Sequence, residues 1–194
     1  MSNESKPKIL IIVGTVRENR GGRKIAEWYF NEAIKTAPGF DFELFDVADL
    51  HLPVFHESTP PMMHQYSQIQ QKLAEKIGAA DGFIFVTGEY NHSIPGSLKN
   101  FLDYVFAEWN YKAAAFVGYG ATGGFRSIEQ LIQVMAGLKV VSVAFNNLHI
   151  PNIFEVFDEK GNFKPESVQG DIAKQLKDFD WWVHATKKAR AELS

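Results

Sequence analysis

Apolar and polar positions follow two rhythms along this chain. Short, almost continuously apolar runs occur at Lys8–Gly14, Gly82–Thr87 and Ala113–Tyr119. Runs of that length, rich in β-branched and aromatic residues, predict strands buried on both faces, as in a parallel sheet. Phe40–Phe45 instead alternates with period two, as an edge-type strand does, and Val140–Phe145 is a fifth candidate strand. Between these runs the apolar residues return at helical spacing. Ile25, Trp28, Tyr29, Ala33 and Ile34 mark a helix over Arg23–Thr36, and further helices are predicted over Met62–Ala80, from Pro95 onward, over Arg126–Gly137 and over Val168–Leu193. Pro38-Gly39 ends the first helix, Pro53, Pro60 and Pro61 keep Asp46–Pro61 irregular, and Asn146–Glu166 is a long connection.

Strands alternating with helices predict an α/β, flavodoxin-like three-layer fold: a five-stranded parallel sheet of order 2-1-3-4-5 with helices on both faces. At 194 residues the chain is expected to form a single domain. The switch point then lies between the first and third strands, where open sheets of this kind place their ligands. Loops 14–23, 88–97 and 119–126 converge there, and they are the loops richest in Gly and polar residues.

Composition narrows the function classes. A net charge of −3 leaves no basic field for nucleic acid or an anionic membrane, and no apolar run approaches the ~20 residues of a membrane span. Without cysteine there is neither a thiol nucleophile nor a thiolate metal site. Met1–Pro7 is polar and runs directly into the first strand without a secretory leader, so the cytoplasm is the expected location. His51, His56 and His64 lack a tight ligand spacing, and no metal is expected.

Each loop carries its own chemistry. Gly14-Thr-Val-Arg-Glu-Asn-Arg-Gly-Gly22 leads into a helix N-terminus, where free N–H groups and the helix dipole attract an anion. Thr15 adds a hydroxyl, Arg17 and Arg20 can chelate phosphate oxygens, and Gly21 and Gly22 allow close approach of the backbone. The loop is neither a Walker A sequence nor G-x-G-x-x-G, and an ordinary turn with solvated arginines is the competing reading. Gly118-Tyr119-Gly120-Ala-Thr-Gly123 does fit G-x-G-x-x-G, but an acidic residue is missing at the end of the next strand, which closes in Asn146-Asn147. Gly120, Gly123 and Gly124 read better as a tight loop laid against a flat ligand. In the middle loop Tyr90 can offer a ring face while the backbone of residues 89–92 hydrogen-bonds a heterocycle; Asn91, Ser93 and Ser97 are also N-cap candidates. A phosphate at one end and a flat, amide-hungry ring at the other describes FMN.

Glu89-Tyr-Asn-His-Ser-Ile-Pro-Gly-Ser-Leu-Lys-Asn100, with Gly14-Thr15-x-Arg17 and Gly120-x-x-Gly123-Gly124, resembles the NADPH-dependent FMN reductases of flavodoxin-like fold, which include quinone, azo-dye and chromate reductases. The resemblance covers roughly Lys8 to Phe145, and the middle stretch is its specific part. It departs at Gly88, where the family has Pro, and at Arg20, where many members have Ser. The resemblance implies that Thr15, Arg17 and the Arg20–Gly22 backbone hold the phosphate. It also implies that Glu89, Tyr90, Asn91 and His92 lie along the isoalloxazine, with Gly120 to Gly124 on its other side. Ser93 and Tyr119 complete the expected cofactor set. NADPH or NADH is then the co-substrate and a small-molecule electron acceptor the second partner. Catalysis belongs to the cofactor, so no catalytic residue is expected.

An electron carrier or an FMN-holding regulatory module is the alternative; Arg17, Arg20 and the modest net charge argue against a flavodoxin proper. The 16 Phe and the aromatics Phe106, Trp109 and Tyr111, with Leu52–Glu57, suggest a subunit interface that also walls the flavin. A homodimer or homotetramer is expected.

Overall fold

The computed structural model describes residues 5–193; the polar start of the chain, through residue 4, lies outside the described residues. Its centre is β1 (Lys8–Val13), flanked by β2 (Asp41–Asp46) and β3 (Gly82–Gly88), with β4 (Ala113–Tyr119) on the far side of β3. All four strands are parallel, and the register aligns Val13 with Asp46 and Val86, and Gly88 with Tyr119. The order 2-1-3-4 and the flavodoxin-like layering are as expected.

Strand alternation divides the core into two layers. Ile9, Ile11, Val13, Ile84 and Val86 face α1 (Gly21–Thr36) and α5 (Ile172–Leu193), through Ile25, Tyr29, Leu176 and Phe179. Leu10, Ile12, Phe83 and Phe85 face α2 (Gln68–Gly78), α3 (Gly96–Leu102) and α4 (Phe125–Gly137). Each large side chain so buried contributes about 1.5–3 kcal/mol before the entropy of ordering it is counted. Trp109, expected at an interface, is instead fully buried, edge-on to Phe83 and Phe101. Tyr111 remains exposed and Phe106 half-buried.

The fifth strand departs from expectation. Within Val140–Phe145 only β6 (Val141–Ser142) pairs with the start of β4, while the end of β4 is taken by β7 (Leu148–Pro151). A short β5 (Thr122–Gly123) returns antiparallel onto β7, so the sheet has seven strands rather than five. The interruption has a side-chain cause. Gln175 Nε2 donates to the Phe116 carbonyl at 2.9 Å, and Tyr29 Oη donates to Gln175 Oε1 at 2.8 Å. This buried amide satisfies a β4 carbonyl that an unbroken fifth strand would otherwise meet. Phe145 is left on the surface, 95% exposed.

Three helices are shorter than their apolar pattern. The second begins at Gln68 because Ser67 N–H is taken by Gln70 Oε1 (3.0 Å), and Met62 belongs to a separate 3₁₀ turn, Pro61–Met63. The third stops at Leu102, so Val105 and Phe106 pack from an irregular segment. The last starts at Ile172, preceded by another 3₁₀ turn, Pro165–Ser167.

Candidate functional site

The first, middle and third loops do converge. They border a cleft of about 420 Å³ at the carboxyl ends of β1, β3, β4 and β7, a size within the range of cofactor sites. A hollow of about 770 Å³ lies elsewhere, between the outer face of α1 and residues 160–163, but it is shallow and walled by Lys24, Glu27, Glu32, Lys35 and Lys160.

Eight expected residues line the cleft: Arg17, Arg20, Gly21, Glu89, Tyr90, Asn91, Tyr119 and Gly120. Thr15 and Gly22 sit behind its Tyr119 wall. Thr15 Oγ1 and Tyr119 Oη share a 2.8 Å hydrogen bond, and a Cβ at Gly22 would overlap the Tyr119 hydroxyl and come within 2.7 Å of Thr15 Oγ1. Burial pushes the Tyr119 phenol far above its ordinary pKa, so it acts as a neutral hydroxyl. His92 and Ser93 lie outside the cleft lining, as do Gly123 and Gly124.

The first loop is an open cradle of donors. Among the described residues, none of the N–H groups from Thr15 to Asn19 meets a protein acceptor, and Arg20 gives α1 no side-chain cap. An anion at a helix N-terminus satisfies such groups. Arg17 is exposed and its guanidinium lies 5.3 Å from the Tyr90 ring centroid, joining the first and middle loops. Arg20 is placed differently from a free phosphate ligand. Its Nη2 donates to Asp46 Oδ2 at 2.5 Å, and its buried Nε has no partner. Asp46 also takes Arg23 Nη1 at 3.3 Å and, through Oδ1, Ala48 N–H at 3.0 Å. The carboxylate anchors the loop's exit at the end of β2. Asp46 and Arg23 escaped the sequence reading because only the parallel register brings residue 46 beside residue 20.

The ring end is built on paired backbone. Glu89 N–H donates to Tyr119 O at 3.0 Å, and Tyr90 and Ser93 exchange hydrogen bonds of 3.0 and 3.1 Å. Asn91 (φ +49°) and His92 (φ +72°) therefore form the tip of a two-residue turn. Glu89 points its carboxylate at the start of α4, where Arg126 Nη2 lies 2.5 Å away and Arg126 N–H donates at 3.3 Å. It ties the middle loop to the third loop and leaves its backbone to face the cleft. Gly88, which stands where the family has Pro, is held in the β3–β4 ladder; a Cβ there would meet the Tyr119 ring at 3.1 Å. Ser97 does not cap α3, whose N-cap is Pro95; its hydroxyl donates to Gly14 O at 3.0 Å and pins the first loop.

In the third loop Gly124 has φ +72°, and a Cβ would lie 2.5 Å from Tyr119 N, so only glycine fits. Gly120 N–H is spent on Ile150 O (3.2 Å) and Gly123 N–H on Gly120 O (3.4 Å). Behind them His149 stacks on Phe125 with centroids 3.6 Å apart, and burial lowers the pKa of this imidazole. Gly88, Ala121, Ile153 and Phe154 complete the cleft, and of these Ile153 and Phe154 lie outside every loop that the sequence points to. The available signal was Ile153-Phe154, an apolar pair just past the carboxyl end of the last strand, hidden inside an unassigned connection.

These residues fit FMN: unpaired donors, a buried unpartnered guanidinium nitrogen and uncompensated positive charge at one end, an aromatic face and fixed backbone at the other. Among the described residues no acidic and histidine cluster suited to a metal is present, and no helix is long and apolar enough to cross a membrane.

Comparisons with known proteins agree. An NAD(P)H-dependent FMN reductase of Schizosaccharomyces pombe is 42% identical over 137 residues, covering 69% of this chain and 68% of the relative. A 2-hydroxy-1,4-benzoquinone reductase of a Burkholderia species is 27% identical over 184 residues, covering 91% and 96%. Among solved structures, the flavoenzyme FerB of Paracoccus denitrificans, an NAD(P)H:(acceptor) oxidoreductase, superposes with a TM-score of 0.68 at 21% identity, over 94% of this chain and 98% of that one, a likeness of fold. A model of the NADPH-dependent FMN reductase family matches residues 7–155, and the chain belongs to that family of NAD(P)H-dependent FMN enzymes.

Proposed function

We propose that the cleft is the flavin site of an NAD(P)H:acceptor oxidoreductase working by ping-pong exchange on one face. FMN held there would supply the redox chemistry, carrying two electrons as hydride from NADPH or NADH to a small acceptor such as a quinone, azo dye, free flavin or metal oxyanion. The chain's own residues bind and orient. The N–H groups from Thr15 to Gly22, with Arg17 and Arg20, hold the phosphate, and Thr15 braces that end through Tyr119. Glu89, Tyr90 and Asn91 carry the ring edge on the turn that His92 and Ser93 complete, backed by Tyr119 and Gly120, while Gly123 and Gly124 shape the third loop behind them. Ile153 limits water access beside Gly21. No side chain is needed as acid or base, so none is assigned a catalytic role.

The observation that carries this reading is the loop of unpaired donors at residues 15–19, whose Arg17 lines the same cleft as Tyr90. Its test is an absorbance titration with FMN followed by anaerobic NADPH and then NADH. The expected result is uptake with rapid bleaching of the flavin band by at least one nucleotide. Bound flavin that neither nucleotide reduces would leave a carrier or flavin-holding module instead.

We also read residues 5–193 as one domain, since both core layers pack on a single sheet. The exposed Val54, Met62 and Met63 support assembly into a homodimer or homotetramer. Dependence on reduced nicotinamide suits a cytoplasmic setting.

A further inference from the structure

Phe154 is 92% exposed, yet the turn that carries it is fixed. Gly120 N–H donates to Ile150 O at 3.2 Å, Asn152 N–H to Ala121 O at 3.3 Å and Ile153 N–H to Gly120 O at 3.4 Å, so the turn is laced to the third loop. Glu155 N–H closes it on Asn152 O at 2.7 Å. Ile153 reaches the start of α1, where a Cβ at Gly21 would lie 3.4 Å from its Cδ1. The neighbouring aromatics of this connection behave differently: Phe157 and Phe163 are half-buried and pack on one another with centroids 5.9 Å apart.

A single exposed apolar residue is commonplace. An aromatic ring held out on a pinned turn, at the mouth of a cleft also lined by Tyr90 and Ala121, is a candidate contact surface. Such a ring gains most from a second flat π-system laid offset or edge-on to it, and gains little from a compact, highly hydrated ion. No charged side chain among the cleft residues lies on this side; Arg17 and Arg20 belong to the first loop and Glu89 is turned toward Arg126.

We propose that Phe154 is the specificity-determining wall of the acceptor subsite, taking flat aromatic oxidants of the quinone or azo class against its ring. The inference rests on the flavin-site reading above, and the experiment separates the two. FMN uptake and bleaching by nucleotide are recorded first for the wild type, Phe154→Ala, Phe154→Tyr and the distant control Phe145→Ala. Binding of 1,4-naphthoquinone to each oxidised holoprotein is then measured by calorimetry without nucleotide, so that no turnover occurs. Steady-state discrimination between naphthoquinone and ferricyanide follows.

In Phe154→Ala the naphthoquinone Kd is expected to rise about tenfold, equivalent to about 1.4 kcal/mol. Phe154→Tyr is expected to stay within about twofold because it keeps the ring face, and Phe145→Ala should match the wild type. Discrimination in kcat/KM should shift toward ferricyanide by a similar factor in Phe154→Ala alone. An unchanged naphthoquinone Kd in Phe154→Ala, or equal losses for both acceptors, overturns the inference while leaving the flavin site standing. A changed elution volume confined to Phe154→Ala assigns the ring to a subunit contact and also overturns it. A wild type that takes up no FMN defeats both readings, by a signal that does not involve Phe154.

Discussion

The two ends of the cleft are built by opposite means. At the β1 end, the backbone from Thr15 to Asn19 leaves its donors unmatched, and the exposed Arg17 adds charge. At the β3–β4 end the donors are already spent: Glu89 on Tyr119, Tyr90 and Ser93 on each other, Gly120 on Ile150. One end is a receptor for an anion, completed only when the anion arrives; the other is a finished scaffold that presents surfaces. The difference teaches where each kind of substitution should be felt. Affinity is concentrated on the open loop itself, and fold stability on the closed end and on the Asp46 anchor at the loop's exit.

The strongest way to break that contrast is Gly124→Val. The left-handed backbone and a Cβ 2.5 Å from Tyr119 N cannot both be accommodated. The expected loss is about 3 kcal/mol or more, roughly 6–12 °C in Tm by calorimetry. A native Tm would mean that the third loop is not a rigid scaffold. Next is Asp46→Asn, which removes the carboxylate shared by Arg20 and Arg23 and leaves the Arg20 guanidinium half-buried without its partner. Stability should fall by about 2 kcal/mol, read by urea titration, with a further loss of FMN affinity as the loop's exit loosens.

Arg17→Ala sharpens the contrast from the other side. The residue is exposed, so Tm should hold within about 1 °C, whereas the FMN Kd should rise about tenfold at low salt and less at high salt. Equal effects on Tm and Kd would contradict the division of labour. The smallest effect belongs to Glu89→Gln. Its partner Arg126 is 41% exposed, which screens the pair, so a loss of about 1 kcal/mol in stability is expected with FMN affinity nearly unchanged. A tenfold loss of FMN affinity there would show that the carboxylate itself contacts the ring.

Much of this was legible from residues alone because the physics was local. The apolar runs at β1, β3 and β4 needed no tertiary information, and their parallel order placed three loops at one switch point. Thr15, Arg17, Tyr90 and Gly120 were identifiable because a loop at the end of a buried strand has few structural reasons for those side chains. The illegible parts depend on contacts distant in sequence. Val140–Phe145 reads as a strand by pattern, but Gln175, from the last helix, takes the Phe116 carbonyl. Arg20 reads as a free guanidinium, and only β2 shows it tethered by Asp46. Trp109 reads as exposed aromatic surplus until Phe83 and Phe101 enclose it. Phe154 carried no periodic signal at all.

The most direct test of the central claim, that the open donor loop reads the cofactor's phosphate, is a paired titration of the protein with FMN and with riboflavin. The two share the ring and the ribityl chain and differ only in the phosphate. The account predicts that FMN binds about a hundredfold more tightly, equivalent to about 2.7 kcal/mol, with the gap narrowing as salt is raised. Equal affinity for the two would contradict the account, since the cleft would then recognise the ring alone.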